Sequence, residues 1–564
     1  MRKKLLTRAL ALSLCAVAAV PAAACSTKSG GGEAVDANRT QIRVYHYNAG
    51  YGQDWVYELK ANFEAMMAEE SFEEGKKGVQ VHISGDMNAR GAEQWRSEPY
   101  DVLFLEGPSE YYAMMERGVL LPLTSIMTTP NANDNNQTIE EKLSLQQRQA
   151  YQYDGEYYGI PHYSGHYGII YNKDLFDQRG FYIAAERDDD GNLLISAENP
   201  KKSAGLDGIE GTDDDGLPRT YDEFYEFCIE IDANGVDPLC WPGEFYHQHT
   251  MLFMDNLVAS NMGAEQMNLN YTFTGTANDL VVFDSQGNIV VDEDGDPVTE
   301  DGVEITDANA YELSRQLGKY QAFQFMETIL KEKAHYNEKD GIEDNKRSHT
   351  EMQQLFLENG ATSNARPNAM LLDGCWWQME ATTTFDRMTR QDEKWSKQNR
   401  NFGWMQLPQP TEADAQAIAN GTKKSVYLDY LRATACIKAN LPSDGVKDAC
   451  LKFMQYVYTD EALANFTYTT GTTIGVEYLD AVDRSRLTPY ETSLINYIEK
   501  SEIISQMSGT KKYAVNVEAF SPSKRYSVAG YAGAIEAFAV SNISAEDYFK
   551  LHQSAFKGIA WGTN

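Results

Sequence analysis

Cysteine is scarce in this chain, 7 in 564 residues, and no pair stands as Cys-x-x-Cys. A structural zinc ribbon and a small disulfide-held scaffold are therefore not indicated. With Cys15 and Cys25 near the start set aside, Cys228, Cys240, Cys375, Cys436 and Cys450 remain. Cys228 with Cys240 and Cys436 with Cys450 are the local disulfide candidates in an oxidising compartment. Against that, these four lie in or beside apolar runs, where cysteine packs as a small hydrophobe. Basic residues also run short: 49 Lys and Arg stand against 83 Asp and Glu, a formal charge of −34. Such a surface repels phosphate backbones and anionic headgroups, which speaks against nucleic acid and polyanionic ligands. Catalytic signatures are missing as well: no G-x-S-x-G, H-E-x-x-H, P-loop or G-x-G-x-x-G occurs. His162 with His166 and His247 with His249 are close pairs, but they fall in stretches read as loops with no fixed ligand spacing. After the first residues no apolar run reaches the ~20 positions of a spanning helix.

Apolar and aromatic residues are plentiful, at 42% hydrophobic with 34 Tyr and 22 Phe, and the length calls for more than one core. The start of the chain has the form of a secretory signal over 1–24: basic residues at 2–4, an apolar stretch, then small residues. Cys25 follows three alanines in the manner of a lipobox, which would leave a diacylated cysteine, although Ala22 stands where leucine is usual; ordinary cleavage near Ala24 is the alternative. Residues 25–40 are polar and glycine-rich, as a flexible tether would be. The expectation is an extracytoplasmic protein held to the membrane by its N-terminal lipid alone.

Residues 42–47 read as a strand, and Trp55, Leu59, Phe63 and Met67 repeat every four positions as an amphipathic helix. Residues 79–83 and 101–105 read as further strands, the latter ending at Glu106 before a helical run. Strand and helix alternation predicts an α/β lobe with a mostly parallel sheet, whose ligands sit beyond the carboxyl ends of the strands. That nominates the loops 48–53 and 106–111. Thr220 and Glu223 predict a capping box for a helix over 220–231 that buries Tyr221, Phe224, Cys228 and Ile231. Two acidic runs, ERDDDGN at 186–192 and DGIEGTDDDG at 207–216, offer Asp188, Asp190, Asp213 and Asp215 as calcium ligands, with structural calcium as the implied cofactor. Neither run completes the ligand set of a calcium loop, since Ala197 and a glycine occupy required positions. Acidic solvated turns are the competing reading.

One stretch organises the rest: YYGIPHYSGHYGIIYNKDLF at 157–176. Gly159 and Pro161 break the chain, Ser164 and Gly165 keep it loose, and 167–171 is apolar, β-branched and aromatic, a buried strand. Downstream come Pro218, Thr220, Tyr221, Glu223 and Phe224 in the order P-x-x-T-Y-x-E-F, then Gly374, Cys375 and Trp376, and an F-G-x-x-x-L-P strand at 402–408. In this order they resemble the extracytoplasmic solute-binding proteins that feed ABC importers, in particular the maltose-binding-protein-like cluster. The resemblance implies an α/β fold of two lobes, periplasmic-binding-protein-like and of type II, with three hinge crossings and each lobe a mostly parallel sheet flanked by helices. Residues 41–158 and 432–472 would form the first lobe, and 162–428 with 477–564 the second, with insertions near 181–217 and 268–310. Crossings would lie at 157–176, 427–438 and 471–476.

The resemblance also places Trp376 on the family's sugar-stacking tryptophan. Sugars present C–H faces that pack on rings and hydroxyls that need acids and amides. Trp241, Tyr246, Trp376 and Trp377 are the ring candidates; Glu244, Glu106, Asn48 and Asp54 are the polar ones; Tyr163 and His166 sit at the crossing itself. For each tryptophan the competing reading is core packing, and Trp377 fits that better than Trp376. The implied function is non-enzymatic: a monomeric receptor that captures a carbohydrate, an oligosaccharide above all, and docks on an ABC permease. A secreted glycoside hydrolase, which needs only two carboxylates, and a calcium-organised adhesin are the alternatives. Peptide or another polar solute is the alternative ligand.

Overall fold

The computed structural model describes residues 34–195, 201–337, 347–358, 366–528 and 530–557. The expected signal over 1–24, Cys25 and most of the expected tether lie outside the described residues. Everything below belongs to the compact unit that begins at Asp36. Among the described residues no helix is long and apolar enough to cross a membrane.

Two sheets carry the molecule. The first has the strand order Val79–Asp86, Thr40–Tyr47, Val102–Leu105, Thr434–Ile437, Ile160–Pro161. Its first three strands are parallel, and Thr434–Ile437 runs antiparallel to both neighbours. The second has the order Asp237–Cys240, Asn368–Gly374, Tyr167–Asn172, Phe402–Met405, with only the first pair parallel. The expectation of mostly parallel sheets thus holds for the βα repeats and fails at the strands that enter from the hinge. A strand arriving from the hinge runs away from the cleft, opposite to strands whose carboxyl ends point into it.

The helix Asp54–Met66 buries Trp55, Leu59 and Phe63 on one face, as their spacing predicts. Helix Tyr221–Ala233 buries Tyr221, Phe224, Cys228 and Ile231. Its cap is half of the expected box: Thr220 Oγ accepts from the Glu223 N–H at 3.3 Å, but the Glu223 carboxylate accepts from the Arg219 N–H at 2.7 Å and from its guanidinium. Within the stretch 268–310, residues 268–272 belong to the helix Tyr246–Thr272. Beyond it, Gly275–Ala277 pairs with Val303–Ile305 and Leu280–Val281 with Thr299–Glu300. Ala310–Arg315 forms a 3-10 turn, and after Gln316 the α-helix Leu317–Lys331 follows.

Short strands carry the chain between the sheets. Ile160–Pro161 lies in the first sheet, Tyr163–Ser164 pairs with Thr473–Ile474, and Tyr167–Asn172 is central in the second. Val426–Leu428 pairs with Glu502–Ile504, and after residues 429–433 the chain enters the first sheet as Thr434–Ile437. The five cysteines of the body are all buried, and Cys228, Cys436 and Cys450 stand in no disulfide, so both local disulfide candidates give way to packing.

Candidate functional site

The carboxyl ends of the first-sheet strands and the hinge meet the carboxyl end of Asn368–Gly374. After Thr40–Tyr47 the exposed Asn48 opens a loop whose Gly50 has no room for a side chain: a Cβ there would lie 2.5 Å from Glu380 Oε1 and 2.6 Å from Trp376 Cδ1. The two lobes therefore touch at this point. Tyr51, 3% exposed, sets its ring 4.8 Å from Tyr163 and 5.8 Å from Trp376. Trp376 is half-buried, and its indole meets Tyr167 edge-on at 5.4 Å; Tyr167 in turn meets Tyr430 at 5.3 Å. Gly374 and Gly165 make the cradle of the indole, since a Cβ on them would fall 2.4 Å and 2.8 Å from it. That contact is the physical reason for the glycine two positions before the tryptophan.

Around this aromatic cluster stand four carboxyls. Glu106 follows the strand Val102–Leu105; burial pushes it up to about 8, against the pull of Arg432 and with the push of Asp429. Glu380, four residues past Trp376 and so on the same side of that helical turn, is also pushed up to about 8 by burial and by Asp373. Gln353 Nε2 donates to both Asp373, at 3.0 Å, and Glu380, at 2.9 Å. Asp429 accepts from the Gly165 N–H at 3.0 Å, and burial raises it to about 6. Tyr51 Oη, Tyr163 Oη, Glu106 Oε2 and Gln353 Oε1 are buried without a hydrogen-bond partner. Unpaired buried polar atoms cost free energy unless a ligand or water satisfies them. Rings that can flank a solute and acceptors waiting for its donors stand together here.

Of the residues singled out in the sequence, Trp376, Glu106 and Tyr163 meet in this cluster, with Asn48 at its edge. Trp241 does not join them: it is 1% exposed and stacked on Tyr336 at 5.0 Å, a packing position behind the sheet end. His166 serves the hinge, its Nδ1 3.0 Å from the Leu428 carbonyl and its Nε2 3.2 Å from Ser164 Oγ, and burial lowers it to about 4 so that it stays neutral. Glu244 is exposed and Tyr246 half-buried against His247 at the start of the long helix. That helix reaches the cluster one step later, where Gln248 donates to Tyr430 Oη at 3.0 Å and the His249 ring stands 5.2 Å from Tyr167. Trp377 is fully buried against Phe356, Phe402 and Tyr490, and Asp54 is exposed in the first turn of its helix.

The acidic runs do not gather into a site. Asp188 Oδ1 accepts from the backbone N–H groups of Asp190, at 3.0 Å, and Asn192, at 2.7 Å, which closes a hairpin turn. Asp284 and Asp292 close two further turns in the same way. Asp213 lies 3.5 Å from Lys173 and Asp215 accepts from the Gly211 N–H at 2.7 Å. Among the described residues no three His, Cys, Asp or Glu side chains converge to hold a metal ion.

Sequence reading missed Glu380, Gln353, Asp429 and Tyr430. Tyr430 and Asp429 lie within a predicted crossing, and Glu380 stands one turn beyond the predicted tryptophan, so position alone could have nominated those three. Gln353 sits on a helix distant in sequence and carries no such signal.

Residues 54–364 match the family described as bacterial extracellular solute-binding protein, and the chain belongs to that family. No curated protein matches the sequence at a significant level. Solved structures are similar at low identity. A chitin oligosaccharide binding protein aligns with a TM-score of 0.53 at 13% identity, over 93% of this chain and 100% of its own. A structure from work on xylan utilization by the thermophilic bacterium Caldanaerobius polysaccharolyticus gives 0.52 at 12%, over 91% and 99%. The solute-binding protein RafE in complex with raffinose gives 0.50 at 12%, over 92% and 100%. These likenesses define the fold, the two-lobed architecture of solute-binding proteins, and membership of the family places the working protein outside the cytoplasm.

Proposed function

We propose that the protein is the membrane-tethered receptor of an ABC importer, that it captures an oligosaccharide between its lobes, and that it releases the solute unchanged to a permease. The observation that carries this reading is Trp376: a half-buried indole at a strand end, cradled by glycines of its own lobe and met by Tyr51 of the other. A solute seated on that ring touches both lobes, and contacts made to both are what bias a hinge toward closure. The carbohydrate named in two of the similar structures supports the same ligand class. Cys25 carries the lipid in this reading, and the receptor acts as a monomer.

Calorimetric titration of the mature domain against a panel of oligosaccharides tests the proposal. The expected result is saturable binding near micromolar, about −8 kcal/mol, with the sugar recovered intact. Recovery of cleaved sugar would instead establish a hydrolase working through the cleft carboxyls. For the tether, Cys25→Ser is expected to move the protein from the membrane fraction to the soluble one.

A further inference from the structure

The glycines that frame Trp376 give its ring room without fixing its tilt. The one polar group of the side chain, the indole N–H, donates to the carboxyl of Glu380, at the end of the four-residue turn Trp377–Glu380. So short a turn is a weak frame by itself. Glu380 is held from behind instead: Gln353 Nε2, on the helix His349–Glu358, donates to its Oε2 at 2.9 Å and also to Asp373 Oδ2 at 3.0 Å. Asp373 is anchored in turn by the Gly374 N–H, which donates to Oδ1 at 2.7 Å, with His249 Nδ1 3.7 Å from the same oxygen.

Asp373, Gln353, Glu380 and Trp376 thus link a strand end, a helix and a turn of the second lobe in one line. Gln353 and Asp373 are 1% and 2% exposed, too deep to meet a solute, whereas Glu380 and the indole reach the first lobe at Gly50. The amide of Gln353 spends its nitrogen on two carboxyls and leaves its own Oε1 buried without a partner. A network with one unmet atom adds little stability, since an unpaired buried acceptor costs free energy. What it adds is a fixed geometry, and a ring that contacts a ligand needs such support from the residues behind it.

We infer that Asp373, Gln353 and Glu380 are positioning residues, a hydrogen-bonded relay that sets the plane of the Trp376 indole for the solute. Asp373 and Gln353 act through Glu380, and Glu380 acts through the indole N–H. The inference rests on the reading of Trp376 as the platform of the solute, but its first test needs no solute.

That test is a 1H–15N spectrum of the mature protein labelled at the tryptophan indole nitrogens, in which Trp376→Phe identifies the Trp376 signal by its loss. Gln353→Leu is expected to shift that signal while those of Trp55 and Trp95 in the first lobe stay in place, which also checks that the variant is folded. Glu380→Ala is expected to shift it further, and Glu380→Gln, which keeps an acceptor, to return it toward the wild-type position. A Trp376 signal unmoved by Gln353→Leu overturns the relay and leaves the carbohydrate receptor intact. Calorimetry with raffinose and with tetramers of chitin and xylan then measures the use of the relay in binding. For a probe that binds, Gln353→Leu is expected to cut affinity about threefold or more in the wild-type protein, and less than about 1.5-fold in Trp376→Phe, which has no indole N–H to hold. Equal losses in the two proteins overturn positioning through the ring. Silence of all three probes on the wild type counts against the carbohydrate reading alone, and the spectra still decide the relay.

Discussion

Three glycines, Gly50, Gly165 and Gly374, leave room for the Trp376 ring, and its indole N–H bonds to the Glu380 carboxyl. Trp376→Ala is expected to weaken oligosaccharide binding at least tenfold, about 1.4 kcal/mol, while leaving far-ultraviolet dichroism unchanged. Calorimetry that finds affinity unaltered would remove the indole from the site. Glu106 makes a second prediction through its proton. Its carboxyl sits near 4.5 when free and is raised to about 8 in the folded chain. Below pH 4.5 it is protonated folded and unfolded alike, and its contribution is fully present. As pH rises toward 8 the unfolded chain ionises first and that contribution is lost. Glu380, raised to about 8 in the same way, adds in the same direction. The unfolding temperature of the unliganded protein is therefore expected to fall between pH 5 and pH 8, and to fall less in Glu106→Gln. An identical slope in the two proteins would show that the carboxyl is solvated. Trp376 was legible in the sequence because a glycine that must yield to an indole leaves a motif. Trp241 misled because an aromatic after a strand end looks the same whether it turns to the cleft or to the core.

Among the elements, amphipathic helices declared themselves through spacing: Trp55, Leu59 and Phe63 face one way because residues four apart do. The long helix Tyr246–Thr272 did not. It is buried around most of its circumference, so no face stands out, and it bends at Gly263, whose φ of 79° and ψ of 166° are not helical. Outside its own stretch of chain, no atom lies within 4 Å of where a Cβ would stand on that glycine. A Gly263→Ala change thus tests backbone conformation alone, and the expected loss is about 1–3 kcal/mol. Urea unfolding midpoints measure it, and an unchanged midpoint would mean that the helix straightens without penalty. The crossing strands were invisible to periodicity, since Ile160–Pro161, Tyr163–Ser164 and Thr473–Ile474 have two residues each. Glycine, proline and family likeness revealed the first of them. Strand direction left no mark in composition, which is why the antiparallel hinge strands were not foreseen. Asn256 shows what holds them: its Nδ2 donates to the Tyr167 carbonyl at 3.2 Å and its Oδ1 accepts from the Leu428 N–H at 2.8 Å, so one buried amide on the long helix fastens two crossings.

At the scale of the whole molecule, the segment that follows Glu502–Ile504 ties the lobes together once more, away from the three crossings. Tyr112 Oη, on the helix Pro108–Glu116, donates to the Ser508 carbonyl at 2.8 Å, and Ser109 donates to Glu518. Gly509 approaches so closely that a Cβ would lie 2.3 Å from the Gln152 carbonyl oxygen and 2.4 Å from that of Gln149. Further along, Arg525 pairs with Asp255 of the long helix at 2.8 Å, both buried, which pins the same segment to the other lobe. A strap fixed at both ends must move when the hinge moves, and contacts present in the closed form favour closure. Gly509→Val is expected to lift the strap from the first lobe, because backbone carbonyls cannot step aside as a side-chain tip can. A lost bias of about 1 kcal/mol lowers the closed population, and apparent affinity falls about fivefold with no cleft residue altered. Small-angle scattering of the unliganded variant should then give a larger radius of gyration than the wild type, converging on the same value at saturating oligosaccharide. If scattering and affinity both match the wild type, the strap rides with one lobe, and closure is governed by the ligand's own contacts through Trp376 and Tyr51.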